Sequence, residues 1–340
     1  MQASALRFEL VPVEPHALQS FEDEWRALET RAEPEPFATF DWLSAWVSAY
    51  APTRISVVRA LEGGDPVGLG LIEHATGGRW YFAGRPASTY RGLLYDARRA
   101  SAVWSGLASW VQTAPAGCAA LSAEGLDADI AALLGRSDRQ PTIFRVLALP
   151  DSFEAYLAQR SSSTRQTLRR KLRGFERAGG ALVEAVDLPG ALETFVRLHV
   201  ERAASKGEQH AMIDERLTRL LGLLHGDSPR RRVWELELDG RTIAVTIHLE
   251  LGDTVHFYNT GMDVSAERLS PGIVLELDLI RDAIERGLKR FDLGPGDASY
   301  KAQLGGEQVE RYLVTLAAPT VRGRAVQLAL AARMRFRARR

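Results

Sequence analysis

The stretch from Thr254 to Lys301, TVHFYNTGMDVSAERLSPGIVLELDLIRDAIERGLKRFDLGPGDASYK, decides how the chain is read. Val255, Phe257 and Tyr258 are strand formers, ended by Asn259-Thr260-Gly261. Arg268, Ser270, Pro271 and Gly272 then precede a run in which Ile273, Leu277, Ile280 and Ile284 recur every three or four residues. That spacing predicts a helix with one buried face. Pro271 suits the first helical turn, where its missing N–H would have no partner. Gly287 stops the helix, and Lys289-Arg290-Phe291-Asp292-Leu293 predicts a short buried strand. The result is a βαβ unit whose helix N-terminus offers backbone N–H groups and the positive end of the helix dipole to an anion.

The rest of the chain bounds this reading. At 340 residues it is long enough for two domains, each with its own core. Lys+Arg and Asp+Glu balance at 43 each, so bulk charge gives no argument for a nucleic-acid partner. The single cysteine, Cys118, excludes an internal disulfide and a Cys-rich metal site, and its apolar neighbours predict a packed thiol; no metal is expected. No apolar run approaches the roughly 18–20 residues that span a bilayer, and Met1-Gln2-Ala3-Ser4 begins no signal peptide. The expected location is the cytoplasm.

Upstream, residues 15–32 fit an amphipathic helix, and Asp41 to Tyr50 a second helix whose Trp42, Trp46 and Tyr50 stripe belongs to the core. Strands at 55–61, 66–74 and 79–84 make a β-meander, followed by a helix (98–112), a strand (118–123), a short helix (127–135) and a strand (144–149). The second half begins near Pro150-Asp151. Ser161-Ser162-Ser163-Thr164 caps a basic helix that ends at Gly179-Gly180, with Arg165, Arg169, Arg173 and Arg177 four residues apart beside Leu168, Leu172 and Phe175. A strand (181–186), helices at 190–206 and 213–225 and a second meander from Arg231 to Thr260 follow. The two meanders recur at an offset of roughly 177 residues, which indicates a duplicated domain. Only the second copy has the loop Arg268–Gly272 ahead of its helix; the first has Tyr90-Arg91-Gly92-Leu93-Leu94 in that region.

The duplication, the basic helix and the string YNTGMD…RLSPGIVLELDLIRDAIERG…FDLGPGDASYK resemble the CelD/BcsL-type acetyltransferase family of the GNAT superfamily, related to the Fem aminoacyl-transferases. The resemblance is strongest from Ser161 to Lys301. It implies an α/β (α+β) fold of two tandem GNAT-like domains, each a mixed, mainly antiparallel sheet flanked by helices. The N-terminal domain (1–150) would have no donor site, the C-terminal domain (151–319) would hold donor and acceptor, and 320–340 is a basic segment. The implied activity is acyl transfer from acetyl-CoA or another acyl-CoA to an amine, an amino sugar or a cell-envelope or exopolysaccharide precursor, with the acceptor small or linked to a lipid or nucleotide. Two alternatives stand beside it: a Fem-like transferase that takes aminoacyl-tRNA, and a non-catalytic GNAT-like module that binds a nucleotide or anionic polymer. GNAT enzymes hold the donor pyrophosphate on a loop of the form Arg/Gln-x-x-Gly-x-Gly/Ala. Here Pro271 replaces the first glycine and Ile273 the last small residue.

The resemblance assigns Asn259, Gly261, Met262, Arg268, Ser270, Gly272 and Asp292 to the donor, with N–H groups near Gly261-Met262 polarising its carbonyl where the strand splays. Amide formation also needs a base for the amine and an acid for the thiolate. His248, Glu250, Tyr258, Asp292 and Asp297 are the titratable candidates. His248 has the intrinsic properties of a base, while a solvent-facing or hydrogen-bonded strand histidine is the plainer alternative. Tyr258 is a candidate acid or an ordinary sheet aromatic. Lys301, in the family's Tyr-Lys motif with Tyr300, is expected on a Gly-rich loop as a clamp for an anionic acceptor or the oxyanion, with Asp297 and Tyr300 nearby. Arg165 and Arg169 would hold a phosphate-bearing acceptor, although a solvated face also explains an Arg stripe. The segment Thr320–Arg340, rich in arginine and aliphatics, is a candidate basic amphipathic helix for an anionic membrane surface, a docked helix or a frayed tail.

Overall fold

The chain divides into two units at places the sequence does not mark: Met1–Thr142 with Glu310–Arg340, and Ile143–Val309. The computed structural model describes residues 6–135, 137–207 and 213–337. The boundaries expected at 150/151 and 319/320 move because each half gives its last strand to the other unit. That exchange comes from pairing, which no local sequence signal reports.

The first unit contains β1 (Arg7–Val13), α1 (Glu22–Glu29), α2 (Phe40–Tyr50), β2 (Ile55–Glu62), β3 (Asp65–His74), β4 (Arg79–Phe82), β5 (Leu94–Tyr95), α3 (Ala100–Gln112), β6 (Ala120–Asp127) and α4 (Ala128–Leu133). The strand β7 (Asp138–Ala148) then crosses into the second unit. β1 is an edge strand paired only to β2, which is why it tolerates Pro12, a residue that argues against a strand when read locally. Thr39 caps α2 by accepting from the Trp42 N–H, and the Trp42 and Trp46 side chains are buried as the four-residue spacing requires. The strand order β1-β2-β3-β4-β6 is antiparallel except for the parallel β4–β6 pair.

The second unit contains α5 (Phe153–Ala158), α6 (Ser162–Arg177), β8 (Ala181–Glu184), α7 (Leu188–Lys206), α8 (Glu215–Leu223), β9 (Arg230–Leu238), β10 (Arg241–Leu251), β11 (Thr254–Met262), α9 (Pro271–Glu285), β12 (Arg290–Pro295) and α10 (Ser299–Leu304). β13 (Glu307–Ala317) then crosses into the first unit and pairs antiparallel with β6, and α11 (Val321–Arg337) follows. Here the order is β7-β12-β11-β10-β9-β8, and only β11–β12 is parallel. The meander-helix-strand succession thus recurs in both units, as α/β architecture with mixed, mainly antiparallel sheets. Ile243 to Leu249 on β10 are all buried, because the sheet is covered on both faces. Thr246 faces α9, where it meets Glu276; Gly261, opposite Val245 and therefore on the other face, lies against the α7 backbone. Leu168, Leu172 and Phe175 of α6 share a core with Val274, Leu277 and Ile280 of α9. On α11, Val321 is 85% and Leu328 73% exposed. No described helix is long and apolar enough to cross a membrane.

Glu250, one of the candidate proton-transfer groups, belongs to a different structure. Arg232, nearly buried, bonds Glu184 at 2.7 and 2.8 Å, Glu250 at 3.3 Å and Asp282 at 3.2 Å, and Arg286 bonds Glu250 and Asp282 as well. Hydrogen bonding to Arg232 holds the Glu184 carboxyl below its usual range. A carboxylate depressed in the folded state stabilises above its unfolded pKa and loses that contribution as pH falls through its folded one. Arg232→Ala removes the cation bonded to the half-exposed Glu184 while Arg286 still bonds Glu250 and Asp282, so it is expected to cost about 1–3 kcal/mol in urea unfolding. It is also expected to flatten the loss of stability on acidification below about pH 4.5, where the unfolded Glu184 takes up its proton before the folded one does.

Candidate active site

β11 and β12 are held together by three parallel pairs, Thr254↔Arg290, Val255↔Phe291 and His256↔Asp292. Beyond them β11 continues along β10 to Met262, while β12 continues along β7 to Pro295↔Phe144. The strands therefore part after His256, earlier than the expected position at Gly261-Met262. A bulge sits at the same place: Ile247 pairs with Asn259 but His248 pairs with Phe257, which leaves Tyr258 as the extra residue. An extra residue bends its strand and raises the local twist, turning β11 away from its parallel neighbour.

The α9-facing side of this fork carries the polar groups. His248 is not solvent-facing but 1% exposed. Its ring meets the edges of Phe257 and Phe291 at centroid distances of 5.9 and 5.4 Å. Its Nε2 lies 3.5 Å from Oε1 of Glu276, a carboxylate on α9 that is 2% exposed. The Thr246 hydroxyl, with one proton to give, lies 3.2 Å from the Asn259 carbonyl and 3.4 Å from the same Oε1. Among the described residues, neither His248 Nε2 nor Glu276 Oε2 has a hydrogen-bond partner.

Lys301 belongs to α10, not to a loop, and is 4% exposed. Its ammonium donates to the Gly294 and Pro295 carbonyls at 3.2 and 2.6 Å and lies 5.8 Å from the Phe257 ring centroid. Burial pulls its pKa below the ordinary lysine value, against the opposing pull of Asp292 and Glu276. Asp292 accepts from the Gly294 N–H at 2.7 Å and so fixes the turn after β12, with His256 Nδ1 3.8 Å from its other oxygen. Tyr300 is partly buried, and burial, reinforced by Glu276, pushes its phenol upward. Asp297 is exposed and bonds Arg145 at 2.7 and 3.0 Å and Gln308 at 3.2 Å, and it reaches Lys301 only through its charge.

At the start of α9, Ser270 takes a left-handed backbone (φ 54°), and its carbonyl accepts the Ile273 and Val274 N–H groups at 3.0 and 3.1 Å. Lys171 of α6 bonds the Ser270 hydroxyl. Arg268 is exposed on a 3-10 turn at Val264–Leu269. Gly272 packs on the Met262 side chain, and Asn259 bonds the Thr260 N–H at 2.8 Å. The Arg stripe is divided: Arg169 pairs with Glu154, Arg165 is half-buried, and Arg173 and Arg177 are exposed. Among the described residues no His, Cys, Asp and Glu group could hold a metal.

The fork gathers His248, Lys301, Tyr300 and Asp292, with Tyr258 on its bulge, and leaves out Glu250 and Asp297. Two of its participants escape sequence reading. Glu276 lies three residues after Ile273 and four before Ile280, so a carboxylate on the apolar face of α9 was the available signal. Lys171 gave none, since its partner Ser270 is 99 residues away. The first unit forks too, after Tyr81↔Ser122, but there Arg91 and Glu124 exchange backbone hydrogen bonds of 2.7 and 2.8 Å. Its own chain fills the edge that β12 leaves without β11.

A family model described as an acetyltransferase (GNAT) domain matches residues 162–302, from the start of α6 into α10. No curated protein matches in sequence. Among solved structures, FemX superposes with a TM-score of 0.64 at 12% identity, covering 89% of this chain and 96% of that one. The C-terminal domain of a protein described as a lysylphosphatidylglycerol synthetase from Agrobacterium fabrum gives 0.60 at 14% identity, over 93% and 96%. A tandem GNAT protein from the clavulanic acid biosynthesis pathway gives 0.50 at 14%, over 92% and 99%. The fold is that of the GNAT-type acyl and aminoacyl transferases.

Two glycines separate packing from ligand roles. A Cβ on Gly261 would stand 2.6 Å from the Phe195 carbonyl of α7, whereas one on Gly272 would meet only the mobile end of Met262. Gly261→Ala is expected to destabilise by about 1–3 kcal/mol in thermal or urea unfolding. Gly272→Ala, in a helical position, is expected to be neutral or stabilising by up to about 1 kcal/mol.

Proposed function

We propose that the second unit transfers an acyl group from an acyl-CoA thioester to an amine. The observation that carries this reading is the fork of β11 and β12 beside the buried Lys301 ammonium and the His248 imidazole. An extended donor entering the fork would replace the lost strand pairing with its own amide groups, bonded along Asn259, Gly261 and Met262. Its thioester would then lie near Tyr258. His248 takes the amine proton, Tyr258 supplies a proton to the departing thiolate, and Lys301 stabilises the oxyanion as the C–N bond forms and the C–S bond breaks. Asp292 holds the turn that places the Lys301 acceptor carbonyls. Tyr300 and the arginines Arg165 and Arg169 line the acceptor side, and Asp297 acts only through Arg145.

The donor phosphates meet cations more than a row of N–H groups. Pro271 has no N–H, and those of Ile273 and Val274 are taken by Ser270, so Arg268, Lys171, the Ser270 hydroxyl and the Gly272 N–H are what α9 offers. This arrangement suits a pyrophosphate bound by charge. The acceptor, by the resemblance to CelD/BcsL-type enzymes, is an amino sugar or a cell-envelope or exopolysaccharide precursor. The thinned N–H cradle also favours a second reading, in which the donor is aminoacyl-tRNA as the resemblance to Fem-type enzymes implies.

Purified protein is expected to bind acetyl-CoA by calorimetry and to release free thiol when an amino sugar is added. Lys301→Met, which keeps the buried stem, is expected to lower kcat about 10²–10³-fold with little change in donor affinity. A folded protein that binds no acyl-CoA but binds aminoacyl-tRNA, with steep salt dependence, would decide for the second reading.

A further inference from the structure

We infer that Glu276 is a positioning residue for His248, bonded through Nε2 so that Nδ1 is the nitrogen that takes a proton. The inference rests on the acyl-transfer reading only for its kinetic consequences. A carboxylate on the core face of a helix is costly unless paired, and Glu276 is 2% exposed. Its one Lys, Arg or His contact within 4 Å among the described residues is His248 Nε2 at 3.5 Å, and the Thr246 hydroxyl it meets is shared with the nearer Asn259 carbonyl. The two otherwise orphaned atoms, His248 Nε2 and Glu276 Oε2, belong to facing side chains. An imidazole N–H directed at Glu276 Oε1, the oxygen it faces, gives Nε2 its partner and fixes the tautomer, which is the base-and-orienter logic of acyl-transfer sites.

The charges around the pair divide between the two faces of the sheet. On the α9 face stand Tyr300 and Lys301 from α10 and, directly across from His248 on β9, Arg232 with Glu250, Asp282 and Arg286; His256 and Asp292, in register with Leu249, lie on the other face. Glu276 is the carboxylate that the imidazole meets on this face, while the Arg232 guanidinium is taken by Glu184, Glu250 and Asp282. The Glu276 carboxylate lies against the imidazolium formed when the amine attacks. In the transfer step the amine proton passes to Nδ1, the C–N bond forms, and the C–S bond breaks to release the thiolate. Glu276 acts through His248 and touches neither substrate.

The test uses the full-length protein and the isosteric variant Glu276→Gln. In the resting protein, without donor or acceptor, the ring ¹⁵N spectrum of His248, assigned with His248→Gln, should report an Nε2–H bonded to carboxylate. Glu276→Gln should move that resonance. In turnover with acetyl-CoA and an amine, Glu276→Gln should lower kcat/KM about 10²-fold and shift its acid limb to lower pH, because the imidazolium loses its counter-charge. Glu276→Asp should leave the limb in place. An unchanged Nε2 resonance in Glu276→Gln, or reduced activity with an unmoved limb, overturns the inference. Absence of turnover in the unaltered protein instead overturns the acyl-transfer reading, and the ring spectrum still decides the Glu276–His248 pair.

Discussion

Everything distinctive in the second unit follows from the loss of pairing between β11 and β12 after His256↔Asp292. A backbone edge in a covered sheet has donors and acceptors that need partners. In the first unit the chain supplies them through Arg91 and Glu124. In the second, the bulge at Tyr258 turns β11 aside and β12 is followed instead by a fixed turn and α10. The same covered sheet that makes this gap costly also makes it selective, since an extended, amide-bearing molecule matches what a missing strand would have given.

The buried charges divide into two kinds. Lys301 and Asp292 are satisfied by backbone groups of the Gly294–Pro295 turn, so they hold the fork open in a definite shape. Arg232, across from His248 on β9, and its carboxylates are satisfied by one another and serve stability. Glu276 and His248 are of neither kind. They are buried to the same degree but are under-bonded at rest, a condition that folds tolerate mainly where a group must change its protonation.

The exchange of terminal strands explains why the two repeats look complete in sequence yet are not separable pieces of chain. β7 follows the first repeat but pairs with β12, and β13 follows the second but pairs with β6. Neither 1–150 nor 151–319 therefore contains all the strands of its own unit. Cutting the chain at Pro150 would leave β7 on the wrong fragment.

Much was legible without coordinates, because periodicity and turn chemistry are local. The helix at Pro271, the two meanders, the buried Trp42 and Trp46 and the loop Arg268–Gly272 are all written in neighbouring residues. The edge strand β1 was hidden by Pro12, and β13 by a pattern that makes sense only beside β6. Sequence placed Lys301 on a loop and left His248 as a base or as a solvent-facing or hydrogen-bonded strand histidine; only packing showed that both are buried. Glu276 and Lys171 became visible as participants through partners 28 and 99 residues away. Local sequence determines which elements form and which chemistry they carry. Tertiary structure decides which of those groups are taken from water and made to face one another, because desolvation and pairing depend on long-range contacts that no window of sequence contains.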